Sequence, residues 1–100
     1  EICCLEALGL VERGQGGQAA RTGFTALGGR IPVNTSGGLK SKGHPVGATG
    51  VSMHVLAARQ LAGQAGEMQR KGAALGAVFN MGGSGVANYV SILERMGGAL

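Results

Sequence analysis

The amino-acid sequence predicts an α/β fold in which a short strand, a long helix and a β-hairpin follow one another along the chain. Residues 46–62 have the apolar spacing of a helix. Residues 73–79 form a continuous apolar run typical of a strand, and a Gly-rich turn separates them from a second strand at 86–93. With 44% hydrophobic residues in a chain of 100, there is enough apolar material for a core.

The first third of the chain predicts little regular structure. Residues 1–10 fit a short helix that stops near Gly9. Residues 11–30 are polar and Gly-rich, which is typical of a loop. Residues 30–34 predict a short strand, which Pro32 would confine to a sheet edge or a strand start.

The stretch before Pro45 is too rich in glycine to predict regular structure, and the helix of residues 46–62 follows it. One face of that helix carries small apolar residues, namely Val51, Val55, Ala58 and Ala62. Gly63 is expected to end the helix, and residues 67–72 predict a charged loop or a short helical turn.

The final part of the chain predicts an antiparallel hairpin. Its first strand, residues 73–79, is expected to be buried on both faces because it is continuously apolar. Residues 80–85 predict a tight Gly-rich turn, and the second strand is expected at 86–93. Residues 96–100 predict a frayed tail.

Composition and charge exclude several classes of protein. Only 14% of residues are charged, which argues against a disordered chain, and the 21 glycines have no fixed period, which excludes collagen. Aromatic residues make up 3% of the chain, too few for a single-stranded nucleic-acid platform. The net charge of +4 is spread along the chain, so it predicts no nucleic-acid partner but suits a small polyanionic ligand.

The sequence also predicts a cytoplasmic protein without a membrane span. No apolar run approaches the ~18 residues that a membrane-spanning helix needs. Residues 1–10 lack the basic segment of a signal peptide. Cys3 and Cys4 are adjacent, which disfavours a disulfide between them, so both are expected to be reduced.

The most specific motif is GHPVGATG, residues 43–50. His44 lies in a Gly-rich loop, and Pro45 after it suits the first turn of a helix. A helix N-terminus favours the neutral imidazole, which can take a proton from a thiol or donate a hydrogen bond to an oxyanion. The structural alternative is a loop histidine that caps the turn.

Two further groups of residues are candidates for binding. The backbone amides of Ser36, Gly37 and Gly38 can hold an acyl or pantetheine chain, although the same residues also suit a simple turn. Asn80 and Gly82 follow a predicted buried strand. A free N–H there would be an oxyanion donor, whereas the alternative is an ordinary hairpin turn.

Three basic residues are weaker candidates for a functional role. Lys40 and Lys42 are close to His44 in sequence and suit phosphate groups, although a solvated loop explains them as well. His54 is expected at a helix surface or in side-chain packing. Because there is no HExxH motif and no nearby cysteine, no metal site is predicted.

The string NTSGGLKSKGHPVGATG, a helix, and a strand entering NMGGSG together resemble the C-terminal portion of thiolases. The likeness is greatest to the sterol-carrier-type thiolases and the archaeal acetyl-CoA acetyltransferases, and it spans about residues 31–95. It implies part of a layered αβαβα fold with two similar halves, which is usually oligomeric. Residues 1–100 would then be incomplete without an N-terminal half or a partner subunit.

The resemblance implies an acyltransferase of lipid metabolism that makes or cleaves 3-ketoacyl-CoA. Its substrate would be a coenzyme A thioester, with no permanently bound cofactor. His44 matches the histidine that activates a nucleophilic cysteine, and Gly82 matches a glycine whose N–H donates to an oxyanion hole. Cys3 and Cys4 lack the Gly-rich context of that nucleophile, so the isolated chain is expected to be inactive.

Asn80 departs from the commoner thiolase pattern, which has a second catalytic cysteine at this position. Because an asparagine side chain does not titrate, the resemblance places the acid/base group upstream of Glu1. Two alternatives therefore stay open. One is a thiolase-fold lipid-transfer or acyl-CoA-binding protein without Claisen activity, and the other is a thiolase-like retro-aldolase.

Overall fold

The computed structural model describes residues 2–96, and the chain divides into two compact units, Glu1–Thr35 and Ser36–Leu100. The predicted α/β class is confirmed, since the described residues form helices and a two-stranded antiparallel sheet. No helix within residues 2–96 is long and apolar enough to cross a membrane.

The first unit contains two short helices, α1 (Ile2–Ala7) and α2 (Gly16–Arg21). The predicted helix at the start of the chain is confirmed, and Gly9 follows it with a φ of +75°. A carboxylate oxygen of Glu6 accepts a hydrogen bond from the Gly16 N–H at 3.2 Å, which joins the two helices.

Two expectations for the first unit are wrong. Residues 11–30 are not a loop throughout, because α2 lies inside them. The strand expected at residues 30–34 is absent from the described secondary structure. Ile31 and Val33 donate their N–H groups back to the carbonyls of residues 24 and 25, both at 3.0 Å, and the intervening Pro32 has no N–H to extend a ladder.

The second unit begins with α3 (Gly38–Lys42), although the sequence predicted no regular structure before Pro45. Gly37 and Gly43 flank this helix with φ values of 91° and 93°. The left-handed region is open to glycine at little cost, so these two glycines bound a helix rather than prevent one.

The long helix, α4 (Thr49–Ala62), has 14 residues and begins three residues later than predicted. The chain first makes a turn, in which the Pro45 carbonyl accepts the N–H groups of Ala48 and Thr49. Gly63 ends the helix in the left-handed conformation, as expected. A 3-10 helix, Gly66–Met68, confirms the short helical turn expected nearby.

The hairpin is confirmed, with strands β1 (Leu75–Gly82) and β2 (Ala87–Glu94) paired from Leu75↔Glu94 to Gly82↔Ala87. The turn occupies residues 83–86 instead of 80–85, so Asn80 and Gly82 belong to β1. Residues 97–100, most of the expected frayed tail, lie outside the described part of the chain.

One face of the hairpin packs against α4. Gly76 lies near Leu61, Val78 is buried, and Asn80 lies near Gly50, so these alternate residues of β1 face the helix. The other face carries exposed apolar side chains: Leu75, Met81, Val90 and Ile92. The expectation that β1 is buried on both faces is therefore wrong, because α4 covers only one of them.

The apolar face predicted for the long helix is also not the one that meets the hairpin. Val51 and Val55 are 67% and 45% exposed, whereas Leu61 is buried. The helix thus has apolar residues both toward the sheet and away from it. This second unit leaves one face of α4 and one face of the sheet without a cover among the described residues.

Candidate functional site

His44 lies in the connection between α3 and α4, one residue after Gly43 and directly before Pro45. Its imidazole is exposed, and Nδ1 is 2.5 Å from Oγ1 of Thr49. The Gly43 φ of 93° makes the sharp change of direction that brings the end of α3 to the turn before α4.

Thr49 is the first residue of α4 and is only 2% exposed. Its hydroxyl donates to the Pro45 carbonyl at 3.1 Å, the usual back-bonding of a helical threonine. Sequence reasoning missed this residue as part of the site. The available signal was a hydroxyl residue five positions after His44, within the first turn of the helix predicted over 46–62.

Lys42 extends the same group of polar contacts. Its Nζ donates to Oγ of Ser52 at 3.2 Å, and that hydroxyl donates to the Thr49 carbonyl at 2.9 Å. The ammonium group is exposed but lies at the first turn of α4. It therefore places a positive charge beside the helix start that carries the His44 contact.

Asn80 projects from β1 toward the same end of α4. A methyl group on Gly50 would lie 3.0 Å from Nδ2 of Asn80, so the absence of a side chain at Gly50 makes room for the amide. Gly50 is the neighbour of Thr49, which contacts His44. The structure thus brings Asn80 to the helix turn that holds His44, without a direct hydrogen bond between the two in the described residues.

Gly82 is the last residue of β1 and is exposed, opposite Ala87. A methyl group on Gly82 would meet the Ala87 carbonyl oxygen and Cβ at 3.5 and 3.6 Å, which are ordinary contacts. Gly82 is therefore a strand residue at the closing pair of the hairpin rather than a turn residue. Its oxyanion-donor role stays a prediction.

The segment of Ser36, Gly37 and Gly38 leads into α3. Gly37 has a φ of 91°, and a Cβ there would be 2.6 Å from Cβ of Ser41, so only glycine suits this position. Ser36 and Gly38 are half-buried. The local geometry accounts for the glycine at position 37, and acyl-chain binding by this segment stays a prediction.

His54 has a different environment from His44. Its Nδ1 donates to the Gly50 carbonyl at 2.7 Å, and its Nε2 is 2.8 Å from Oγ of Ser91 on β2. The Nδ1 contact lies within α4, whereas the Nε2 contact joins α4 to β2, which fits the packing role expected from the sequence. Within residues 2–96, no three His, Cys, Asp or Glu side chains lie together as metal ligands.

Comparison with known proteins gives a match to the family model described as Thiolase C-terminal domain-like, over residues 1–95. An acetyl-CoA acetyltransferase of Methanothermobacter thermautotrophicus is 48% identical over 94 residues, which are 94% of this chain and 24% of that protein. Sterol carrier protein 2 of Rattus norvegicus is 45% identical over 97 residues, which are 97% of this chain and 17% of that protein.

A third relative matches a shorter stretch. The benzoylsuccinyl-CoA thiolase subunit BbsB of Thauera aromatica is 36% identical over 64 residues, covering 64% of this chain and 17% of that subunit. The chain therefore spans a quarter or less of each of these three relatives.

Proposed function

The chain belongs to the thiolase C-terminal domain-like family, and from that premise we propose that it supplies one part of the active site of an acyltransferase. The reaction is the formation or cleavage of 3-ketoacyl-CoA. The 48% identity to a protein named acetyl-CoA acetyltransferase supports this choice.

The observation that carries the proposal is the His44 imidazole, which is exposed on one side and held by the buried Thr49 on the other. In the proposed reaction, His44 takes the proton of a cysteine thiol that lies outside this chain. In the direction of formation, the thiolate attacks the thioester carbonyl of an acyl-CoA and forms an acyl-cysteine, and thiolysis runs this step in reverse. His44 then gives its proton to the departing thiolate of coenzyme A.

Asn80 and Gly82 are proposed to act on the substrate oxygens. The Asn80 amide can donate a hydrogen bond to a carbonyl or enolate oxygen but cannot exchange a proton at neutral pH. The Gly82 N–H would donate to the oxyanion of the acyl-enzyme step. The acid/base group of the carbon–carbon bond step therefore lies on another segment of the complete protein.

Coenzyme A is proposed to enter as a thioester substrate, with no cofactor held permanently. Ser36, Gly37 and Gly38 offer backbone amides to its acyl or pantetheine part. Lys42, the last residue of α3, has its ammonium group at the first turn of α4 and supplies a positive charge for a phosphate.

Further polypeptide is proposed to complete the fold, either as an N-terminal half of the same protein or as a partner subunit. The uncovered apolar faces of α4 and of the hairpin support this, because exposed apolar patches mark interaction surfaces. The name of one relative, a thiolase subunit, supports the partner-subunit form. We further propose a homo-oligomer in the cytoplasm, where the free thiols of Cys3 and Cys4 would remain reduced.

A second candidate function is lipid transfer or acyl-CoA binding without Claisen activity. The 45% identity to a protein named sterol carrier protein 2 favours it. Asn80, which cannot act as an acid, would suit such a protein as well. A thiolase-like retro-aldolase is a third candidate that would use the same His44 and Gly82.

The distinguishing experiment assays the complete protein that carries this segment. Purified protein is incubated with acetoacetyl-CoA and free coenzyme A, and the appearance of acetyl-CoA is measured. Thiolysis that requires coenzyme A supports the acyltransferase. Transfer of a fluorescent lipid between vesicles without thiolysis would favour the second candidate, and coenzyme A-independent cleavage of a 3-hydroxyacyl-CoA would favour the third.

A further inference from the structure

We propose that Thr49 is the positioning residue of His44: its buried hydroxyl accepts a hydrogen bond from Nδ1–H and leaves Nε2 as the nitrogen that exchanges the proton. This inference deepens the proposed function and rests on it for its catalytic meaning. Its structural part, the choice of tautomer, stands on the contacts of Thr49 alone.

The Thr49 hydroxyl has a single proton to donate, and its two neighbours determine which of them receives it. Oγ1 has two polar neighbours, the Pro45 carbonyl oxygen at 3.1 Å and Nδ1 of His44 at 2.5 Å. A carbonyl oxygen can only accept, so the hydroxyl proton points to Pro45, as is common for threonine in a helix. The Thr49 N–H donates to the same carbonyl at 2.9 Å and fixes the hydroxyl beside it.

The protonation of the His44 imidazole follows from this. Because the hydroxyl proton is already used, the contact with His44 requires a proton on Nδ1. In a neutral imidazole only one nitrogen carries a proton, so Nε2 then has the free lone pair. Nε2 is therefore the nitrogen that can take a proton from a thiol.

Burial makes this arrangement specific. Thr49 is 2% exposed, so water does not compete for its hydroxyl. If Nδ1 of His44 carried no proton, the Thr49 hydroxyl would have to turn its own proton away from the Pro45 carbonyl and toward Nδ1. The Pro45 carbonyl would keep the N–H groups of Ala48 and Thr49, but the two hydrogen bonds of the Thr49 hydroxyl would become one, so the fold favours the Nδ1–H tautomer.

His54 provides an internal contrast. Its Nδ1 also bonds an acceptor, the Gly50 carbonyl, but its Nε2 is occupied by Ser91. His44 has no second hydrogen-bond partner within the described residues, and its ring is exposed. Of these two histidines, His44 alone keeps a nitrogen available to a substrate or to a cysteine.

The test compares wild type, Thr49→Val and Thr49→Ser in the complete protein. Valine keeps the shape of threonine but has no hydroxyl, whereas serine keeps the hydroxyl. Histidine side chains are labelled with ¹⁵N, and the His44 signals are assigned by their loss in His44→Asn. Spectra recorded at about pH 9, where imidazoles are neutral, report which ring nitrogen carries the proton.

We expect wild type and Thr49→Ser to show the Nδ1–H tautomer, and Thr49→Val to shift toward Nε2–H. The thiolysis rate of Thr49→Val should fall about 10- to 100-fold, while Thr49→Ser should stay within about threefold of wild type. If Thr49 had only a structural role, the thiolysis rate would not change together with the His44 tautomer across the two variants.

Wild-type protein with an Nε2–H tautomer at His44 would overturn the proposal, as would a Thr49→Val variant that keeps Nδ1–H. If Thr49→Val does not fold, the wild-type spectrum alone decides. If the tautomers behave as expected but no thiolysis is found in wild type, the positioning by Thr49 stands and the proposed acyltransferase function fails.

Discussion

Gly50 on α4 lies directly against Asn80 on β1, so that a methyl group on Gly50 would be 3.0 Å from Nδ2 of the asparagine. This contact joins the helix turn that holds His44 to the strand position where the commoner thiolase pattern has a cysteine. The glycine has no positive φ, so it is not required by the backbone there. Its role is to leave space for the amide.

Gly50→Ala should therefore separate stability from activity. Alanine stabilises a helix interior by roughly 0.5–1 kcal/mol relative to glycine and a first-turn position such as Gly50 by less, and the flexible end of Asn80 can move aside at low cost. We expect unchanged or slightly higher stability in urea, with a thiolysis rate that falls by up to about 10-fold because the amide is displaced.

The control for that variant is the double substitution Gly50→Ala with Asn80→Ala. If Gly50 acts only through the amide, the double variant should be no slower than Asn80→Ala alone. Additive losses of the thiolysis rate in the double variant would show that Gly50 affects the site independently of the Asn80 amide.

The Asn80 side chain is expected to contribute about one hydrogen bond to the reacting oxygen. Asn80→Ala is expected to slow thiolysis about 10-fold, because one donor to the reacting oxygen is lost. Asn80→Cys introduces a thiol that titrates near pH ~8.5, so its pH–rate profile should gain an alkaline limb that wild type lacks. Complete loss of turnover in Asn80→Ala would contradict the view that the proton donor lies elsewhere.

The end of α4 depends on a side-chain amide. Oε1 of Gln60 accepts the Arg70 N–H at 2.8 Å, and its Nε2 donates to the Met68 carbonyl. Gln60→Ala should lower the free energy of unfolding by about 1–3 kcal/mol, because two backbone groups lose their partner. The measurement is urea unfolding of the complete protein.

The matched control is Gln64→Ala. Gln64 is exposed near the same helix end and joins the fold through its backbone N–H, which donates to Arg59 at 2.8 Å. Its side chain should contribute little, so a loss within about 0.5 kcal/mol is expected. Equal losses of unfolding free energy in Gln60→Ala and Gln64→Ala would contradict the stabilising role of the Gln60 side chain.

The uncovered sheet face predicts how the isolated chain behaves. Leu75 and Ile92 are 67% and 64% exposed on the face of the hairpin opposite to α4. An isolated two-stranded sheet with such a face is at best marginally stable. We expect the 100-residue chain alone to self-associate, with an average mass in sedimentation that rises with concentration.

A double substitution, Leu75→Lys with Ile92→Lys, should reduce that self-association and should also prevent assembly with the remaining polypeptide. A monomeric wild-type chain with a sharp, reversible and concentration-independent unfolding transition would contradict the proposal that this face needs a cover.

The sequence predicted the helix and strands that local sequence patterns determine. The helix that ends at Gly63 and the hairpin have strong patterns, and the structure contains both. The extension of β1 through Asn80 to Gly82 was missed because cross-strand pairing, rather than glycine content, determines where the strand ends. The helix α3 was missed because the density of glycine around it predicts no regular structure, although Gly37 and Gly43 lie at the ends of the helix.

The candidate site was predicted in part. His44 was identified from its Gly-rich motif, whereas the contacts of Thr49 with His44 and of Gly50 with Asn80 depend on folded geometry. The first requires the turn at Pro45, and the second requires the packing of β1 against α4. For the first contact the sequence offers a hydroxyl residue five positions after His44, whereas no spacing in the sequence indicates the second.

The most direct test of the account measures coenzyme A-dependent thiolysis by wild type, His44→Ala and His54→Ala in the complete protein. His44→Ala should lower the rate by about 10²–10⁴ without loss of fold, because the proton-exchanging nitrogen is removed. His54→Ala should keep a near-normal rate and instead lose about 1 kcal/mol of stability, because it joins α4 to Ser91. Equal rate losses in the two variants, or an unchanged rate in His44→Ala, would contradict the assignment of His44 as the catalytic histidine.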